Sequence, residues 1–269
     1  MFDTLESACK GLLLTAADTL NQSSLDYVVA GGWVPLLLEP DHPTLTHPGT
    51  RDVDVLLIDD HTSIVTAVRA LLNRQFRPSA KHEFQLLREA SVADRNFVFN
   101  VDLMHPGEAD HSPGMFQDIF DLGVNDAYDP TGSRHMKSIA FKSAAIVHEQ
   151  RLFQSILVQG VNLDGVECAV EVPLLSPAAF ILSKCESVSM KKRTRDAYDI
   201  YYILTGHGGE GYANSLRDLS ARFPQVGKQL EMLEGFLKEN SAQFDHNVYT
   251  HSKADLSSPA KAVREALFP

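Results

Sequence analysis

The segment Asp52–Ile58 constrains the fold most strongly, because its sequence, DVDVLLI, is typical of a β-strand. Side chains two residues apart in a strand project from the same face. The carboxylates of Asp52 and Asp54 are therefore expected roughly 7 Å apart, at a rise of about 3.4 Å per residue. Two carboxylates this close repel each other unless a cation lies between them. The segment therefore predicts a strand with a metal-binding face.

A second predicted strand, Asn96–Met104, has alternating apolar residues on one face and Asn100 and Asp102 on the other. If the two strands are neighbours, Asp102 adds a third carboxylate to the first pair. Three carboxylates can hold two Mg²⁺ or Mn²⁺ ions about 4 Å apart, one activating an attacking hydroxyl and the other bracing a leaving pyrophosphate. This pattern indicates the chemistry of nucleotidyl transfer.

A glycine pair, Gly31-Gly32, follows a short β-branched run and precedes a predicted helix over Val34–Leu38. Residues without a Cβ let backbone N–H groups approach phosphate oxygens at the start of a helix. The pair is also compatible with a plain tight turn. Its interpretation depends on the downstream carboxylates.

The rest of the chain divides near residue 175. Before it, the pattern predicts a helix over Leu5–Leu20, a strand over Glu83–Leu87 and a hairpin within Ile156–Val172 with an Asp-Gly turn. After it, Ser176-Pro177 supplies an N-cap and a proline at the first helical position, and the pattern is helical except for the polar stretch Asn240–Ser258. We predict an α/β (α+β) region over 1–175 and a helical region over 176–269.

The amino-acid composition limits the kinds of partner that this protein can bind. The formal net charge is -11, which argues against a protein coated with nucleic acid but allows a local basic surface, and the densest basic run is Lys191–Arg195. No apolar run reaches the length of a membrane span, and the N-terminus is acidic, so we expect a cytoplasmic protein without a membrane partner. The three cysteines form no CxxC pair and are expected to serve in packing.

Three segments together resemble the signature of the nucleotidyltransferase superfamily of the DNA-polymerase-β type. They are Ala30-Gly31-Gly32, TRDVDV over 50–55 and Val101-Asp102-Leu103. The stretch 181–199, with its lysine and RTRDAYD sequence, resembles the lysine and RxRDxxD motif of the abortive-infection AbiEii and MenT toxin nucleotidyltransferases. The segment between Gly32 and Asp52 is longer than in minimal members of the superfamily, so a longer helix and loop are expected there.

The resemblance implies a mixed sheet flanked by helices and a metal-dependent enzyme that moves a nucleoside monophosphate from an NTP to an acceptor hydroxyl. Asp52, Asp54 and Asp102 would bind the Mg²⁺ or Mn²⁺ ions. The implied triphosphate contacts and their helical support are Gly31, Gly32, Arg51, Lys184, Asp196 and Asp199. In this toxin branch the acceptor is often a tRNA 3′ end, read here by the helical region, and an antitoxin protein is an expected partner.

Several alternatives stay open at this point. The same fold serves small-molecule, antibiotic-type nucleotidyltransferases and non-catalytic nucleotide-binding modules. Lys184 is also compatible with a lysine that reaches solvent, and Asp196 and Asp199 with surface ion pairs. A metal hydrolase built on Asp102, His105 and His111 lacks an HExxH or HxH spacing. The sequence leaves the base, the acceptor and the oligomeric state undetermined.

Overall fold

A computed structural model describes residues 2–58, 61–107, 116–121, 135–141, 143–185 and 187–269. Within these ranges, the side chains of residues 61–64, 116–121 and 135–137 are not described.

Nine strands of the described residues form one mixed sheet. Their bounds are β1 Tyr27–Ala30, β2 Asp52–Leu57, β3 Arg77–Pro78, β4 Gln85–Val92, β5 Arg95–Pro106, β6 Phe116–Asp121, β7 His135–Phe141, β8 Phe153–Val161 and β9 Glu167–Leu175. The order across the sheet is β3-β4-β5-β2-β1-β9-β8, and β7 pairs with both β5 and β6. Strand β2 lies antiparallel to β1 and parallel to β5, which places β2 in the interior of the sheet.

The described helices are α1 Leu5–Gln22, α2 Trp33–Leu38, α3 His61–Asn73, α4 Ala144–Glu149, α5 Pro177–Cys185, α6 Thr194–Thr205, α7 Gly209–Arg222, α8 Pro224–Glu239, α9 Ser241–Ser252 and α10 Pro259–Leu267. A capping box fixes the start of α1, where Thr4 and Ser7 exchange side-chain and backbone hydrogen bonds. Helix α1 packs against β2, β8 and α3. The predicted mixed sheet flanked by helices, followed by a helical region, is confirmed.

The chain divides into two compact units. The first comprises residues 1–31 and 50–174 and contains the sheet; the second comprises residues 32–49 and 175–269. The segment between Gly32 and Asp52 contains the six-residue helix α2 and a loop. No helix among the described residues combines the length and apolar character needed to cross a membrane.

Within the second unit, Glu39 joins the 32–49 segment to the loop before α7. Glu39 is 4% exposed, and its carboxylate accepts hydrogen bonds from the backbone N–H groups of His207 and Gly208, each at 3.0 Å. The hydroxyl of Tyr212 donates to the same carboxylate at 2.9 Å. Three donors therefore satisfy one buried acceptor group and fix this loop.

Two features differ from the sequence prediction. The polar stretch Asn240–Ser258 contains a helix, α9, so the non-helical prediction there is wrong. Its buried residues, Phe244, Asn247 and Val248, have helical spacing, but the polar Asn247 hides the apolar period. Strands β6 and β7 and helix α4 were not predicted. The polar segment 106–113 contains proline, glycine and histidine, which predicts a loop, and it falls partly outside the described residues.

Candidate functional site

The pairing of β2 with β5 brings the sequence-predicted carboxylates together. Asp54 is aligned with Asp102, and Asp52 is aligned with Asn100. Because side chains alternate along each strand, these four residues share one face of the sheet. Gln85 of β4 is aligned with Asp102 on its other side. The register therefore forms a row across the sheet from Asp54 through Asp102 to Gln85.

Each of the three carboxylates offers an oxygen, and these oxygens all lie within 4.8 Å of one another. Among the described residues this is the one group of three or more acidic, histidine or cysteine side chains spaced to hold a metal ion. Asp102 is 8% exposed, whereas Asp52 and Asp54 are half-buried. A set of hard carboxylate oxygens at this spacing suits Mg²⁺ or Mn²⁺, so the donor set fits the implied cation.

Neutral hydrogen-bond donors orient two of the carboxylates. The hydroxyl of Thr50 donates to Oδ1 of Asp52 at 2.5 Å. The amide of Asn100 donates to Oδ1 of Asp102 at 2.6 Å, and the amide of Gln85 donates to Oδ2 of the same carboxylate at 3.3 Å. Thr50, Gln85 and Asn100 contact the carboxylate cluster but were not among the candidate site residues predicted from the sequence. Asn100 had a signal, since it lies two residues before Asp102 in a strand, whereas the role of Gln85 depends on strand register.

Gly31 lies against the carboxylate of Asp54. Its φ of +66° is in the left-handed region, and a Cβ built on it would lie 1.7 Å from Oδ2 of Asp54. No other residue type fits this position without moving the carboxylate. Gly31 therefore makes room for Asp54. Gly32 has ordinary right-handed backbone angles and precedes α2.

Arg51 is exposed beside the cluster, and both Arg51 and Asp52 are close enough to Cys9 to influence its ionisation. Burial raises the pKa of the Cys9 thiol to about 11, which Arg51 partly opposes. Cys9 is therefore a protonated thiol at neutral pH and packs in the core of α1. Cys9 and Cys185 are buried and Cys168 is half-buried, which agrees with the expected packing role.

The second unit contains the other sequence-predicted residues in a buried ionic network. The ammonium of Lys184 on α5 lies 2.9 Å from Oδ1 of Asp196 and 3.2 Å from Oδ2 of Asp199, both on α6. Arg193 pairs with Asp196 at 3.0 Å, and Arg195 pairs with Asp199 at 3.3 Å. The network therefore links the start of α6 to α5.

Two further groups complete the network. The hydroxyl of Ser187 donates to Oδ2 of Asp196 at 2.6 Å. The ring Nε2 of His47, in the loop after α2, lies 3.4 Å from Oδ1 of Asp199. His47 therefore ties the 32–49 segment to α6 within the second unit.

The charges of this network stabilise one another. Burial disfavours the charged form of Lys184, but the carboxylates of Asp199 and Asp196 outweigh it and raise the pKa of the ammonium. Burial also opposes the charge of Asp199, yet the Lys184 ammonium and the His47 hydrogen bond hold its pKa well below the usual range. Burial lowers the pKa of His47, so its ring is neutral at pH 7. Asp199 is consequently an anion held between cations.

Two alternatives left open by the sequence are wrong. Lys184 is 6% exposed and its ammonium lies between two carboxylates, so it is not a lysine that extends into bulk solvent. Asp196 and Asp199 are 2% and 1% exposed, so their ion pairs are buried rather than superficial. Breaking a buried pair costs far more than breaking a surface one.

The basic run after α5 differs from this buried network. Lys191 and Lys192 are exposed, and the side chain of Arg193 is 54% exposed while it pairs with Asp196.

Of the histidines considered for a hydrolase, His105 contacts Ser138 at 2.6 Å through its Nδ1, and His111 lies outside the described residues.

Among solved structures, the chain resembles an antigenic nucleotidyltransferase-like protein from Paracoccidioides brasiliensis, with 16% identity, a TM-score of 0.36, and coverage of 84% of this chain and 93% of that one. It also resembles JHP933 from Helicobacter pylori, with 9% identity, a TM-score of 0.41, and coverage of 95% of this chain and 86% of that one. No curated protein matches the sequence significantly.

A family model described as "Nucleotidyl transferase AbiEii toxin, Type IV TA system" matches residues 49–267. The matched range contains the three carboxylates of the sheet and, except for His47, the residues of the Lys184 network. It covers well over half of the sequence. The chain therefore belongs to the AbiEii nucleotidyl transferase toxin family.

Proposed function

We propose that this protein is a metal-dependent nucleotidyltransferase that moves a nucleoside monophosphate from an NTP to an acceptor hydroxyl. In this reaction the acceptor oxygen forms a bond to the α-phosphorus, the α–β phosphoanhydride bond breaks, and pyrophosphate leaves. The observation that carries the proposal is the convergence of Asp52, Asp54 and Asp102, whose oxygens lie within 4.8 Å of one another in a chain of a nucleotidyltransferase family.

The three carboxylates are proposed to hold Mg²⁺ or Mn²⁺. Asp52 and Asp54 would contact both ions and Asp102 one of them. Bound cations would supply charge stabilisation for the triphosphate and for the acceptor oxygen. Asp102 would also help the acceptor hydroxyl lose its proton, as its aligned position beside Asp54 allows.

We assign the triphosphate contacts as follows. Gly31 and Arg51 adjoin the carboxylates in the first unit, and Arg51 is exposed and cationic. Gly32 and Lys184 keep the phosphate-binding roles implied by the resemblance. In the second unit, Asp196 and Asp199 would support nucleotide binding by holding the Lys184 ammonium in place.

An RNA acceptor, such as a tRNA 3′ end, is the proposed substrate class. The exposed side chains of Lys191 and Lys192 support it, because cations on an acidic protein provide a local phosphate-binding surface. We further propose an antitoxin partner and a cytoplasmic location, both on the ground of the family alone. The net charge of -11 favours a second candidate, an enzyme that acts on a cationic small molecule.

The test is incubation of the purified protein with each of four α-labelled NTPs, Mg²⁺ and total RNA. An Asp52→Ala/Asp54→Ala double variant serves as the inactive comparison, and a Lys191→Ala/Lys192→Ala variant tests the basic surface. We expect label on RNA with the wild type and none with the double carboxylate variant. We expect the lysine variant to require more RNA for half-maximal transfer.

Other outcomes separate the alternatives. Transfer to a small molecule in place of RNA would identify the antibiotic-type activity. NTP binding without transfer to any acceptor would indicate a non-catalytic module. Absence of both binding and transfer would refute the proposed function.

A further inference from the structure

We infer that Gln85 and Asn100 are positioning residues that fix the carboxylate of Asp102 in the orientation needed to bind a metal ion. The inference rests on the proposed function, because it concerns the same cluster. It adds two residues outside the Gly-Gly, Asp-x-Asp and lysine motifs that the sequence analysis used.

The geometry assigns one donor to each oxygen of Asp102. Asn100, two residues earlier on β5, donates to Oδ1 at 2.6 Å. Gln85, on the adjacent strand β4, donates to Oδ2 at 3.3 Å. One donor comes from the same strand and one from across the strand pair, so the two bonds together fix the rotation of the carboxylate about its last torsion angle.

The chemical type of these donors suits a cation site. Both are neutral amides, so they orient Asp102 without cancelling the negative charge that attracts a cation. A lysine or arginine in the same place would form an ion pair and reduce that charge.

The orientation of Asp102 affects metal binding because Asp102 is aligned with the other carboxylates of the cluster. Asn100 lies beside Asp52 in the register of β2 and β5, and Gln85 lies beside Asp102 on the opposite side from Asp54. The two amides therefore border the cluster on the β5 and β4 side of the sheet. Because Asp102 is 8% exposed, little solvent remains to replace a lost amide donor.

The test measures Mn²⁺ binding by titration calorimetry for wild type, Asn100→Ala and Gln85→Met. Loss of a hydrogen-bonded group that supports a metal ligand typically weakens metal affinity about 10- to 100-fold. We expect a loss in that range for Asn100→Ala and a smaller one for Gln85→Met, whose bond is longer. Asn96→Ala on the same face of β5 and Gln159→Met on β8 replace exposed residues of the same types, and should keep wild-type affinity.

A second readout separates positioning from a general loss of structure. In the label-transfer assay, the Mg²⁺ concentration for half-maximal activity should rise in both positioning variants, while the rate at saturating Mg²⁺ should stay near the wild-type rate. Melting curves establish that the variants are folded. If Asn100→Ala does not fold, the Mn²⁺ affinity and the Mg²⁺ dependence of Gln85→Met alone test the inference.

The outcomes distinguish this inference from the proposed function. Wild-type protein that binds Mn²⁺, with both variants within about twofold of it, would overturn the inference and leave the function intact. Wild-type protein that binds no Mn²⁺ would refute the metal-dependent function and the inference together.

Discussion

Substitution of Gly31 by alanine tests how the carboxylate cluster is assembled. An added Cβ would lie 1.7 Å from Oδ2 of Asp54, and ordinary contact begins at 3.4 Å, so the oxygen must move by 1.7 Å (3.4 − 1.7). Metal ligands tolerate displacements of only about 0.2 Å. We therefore expect Gly31→Ala to weaken Mn²⁺ binding by at least tenfold.

The same substitution also costs stability. Alanine in the left-handed region costs about 1–2 kcal/mol, and the displaced carboxylate adds to this cost. Gly165→Ala is the matched control, because Gly165 has a φ of +80° with nothing within 4 Å of an added Cβ. It should lose about 1 kcal/mol of unfolding free energy and no Mn²⁺ affinity.

Calorimetric Mn²⁺ titration and urea denaturation of wild type and both variants provide the measurement. The expected pattern is a stability loss in both variants and an affinity loss in Gly31→Ala alone. Wild-type Mn²⁺ affinity in Gly31→Ala would refute the reasoning, because it would show that Asp54 need not occupy the space beside Gly31.

Three further predictions concern the second unit. Lys184→Met leaves two buried carboxylates without their shared ammonium and should lower the unfolding free energy by about 3 kcal/mol, measured by denaturation; an unchanged value would contradict the buried network. Burial lowers the pKa of His47 from 6.5. As the pH falls, the ring therefore binds a proton at a higher pH in the unfolded chain than in the native protein. The contribution of the neutral His47 ring to the unfolding free energy is complete above about pH 6.5 and declines as the pH falls. The melting temperature of His47→Gln should therefore depend less on pH than that of the wild type between pH 7 and 5. Glu39→Ala removes the charged acceptor of two backbone N–H groups and of the Tyr212 hydroxyl and should cost about 2–3 kcal/mol, whereas Tyr212→Phe should cost about 1 kcal/mol; equal melting temperatures would contradict this order.

The sequence predicted the strands that hold the cluster and the face on which Asp52, Asp54 and Asp102 lie. It could not predict that Asp54 is aligned with Asp102, since register between strands forty-eight residues apart is set by non-local pairing. For the same reason Gln85 escaped notice, whereas the spacing of Asn100 from Asp102 is a local feature. The periodicity of a segment thus predicts which residues share one face of a strand, whereas the pairing of strands determines which residues are neighbours across the sheet.

The second unit shows the same division. Spacing along α6 placed Asp196 and Asp199 on one helix, but their burial depends on packing against α5 and was not evident from the charged sequence around them. Helix α9 was missed because Asn247 occupies a buried position where an apolar residue would have revealed the helical period. No local signal indicated that residues 32–49 pack with the C-terminal helices.

The central claim is that Asp52, Asp54 and Asp102 bind the catalytic cation. Crystals of the wild-type protein grown with Mn²⁺ and a non-hydrolysable NTP analogue, measured for anomalous scattering, test it most directly. The account predicts an anomalous peak about 2.1 Å from oxygens of all three carboxylates, with the triphosphate next to it. Bound nucleotide with Mn²⁺ located away from these carboxylates would contradict the account.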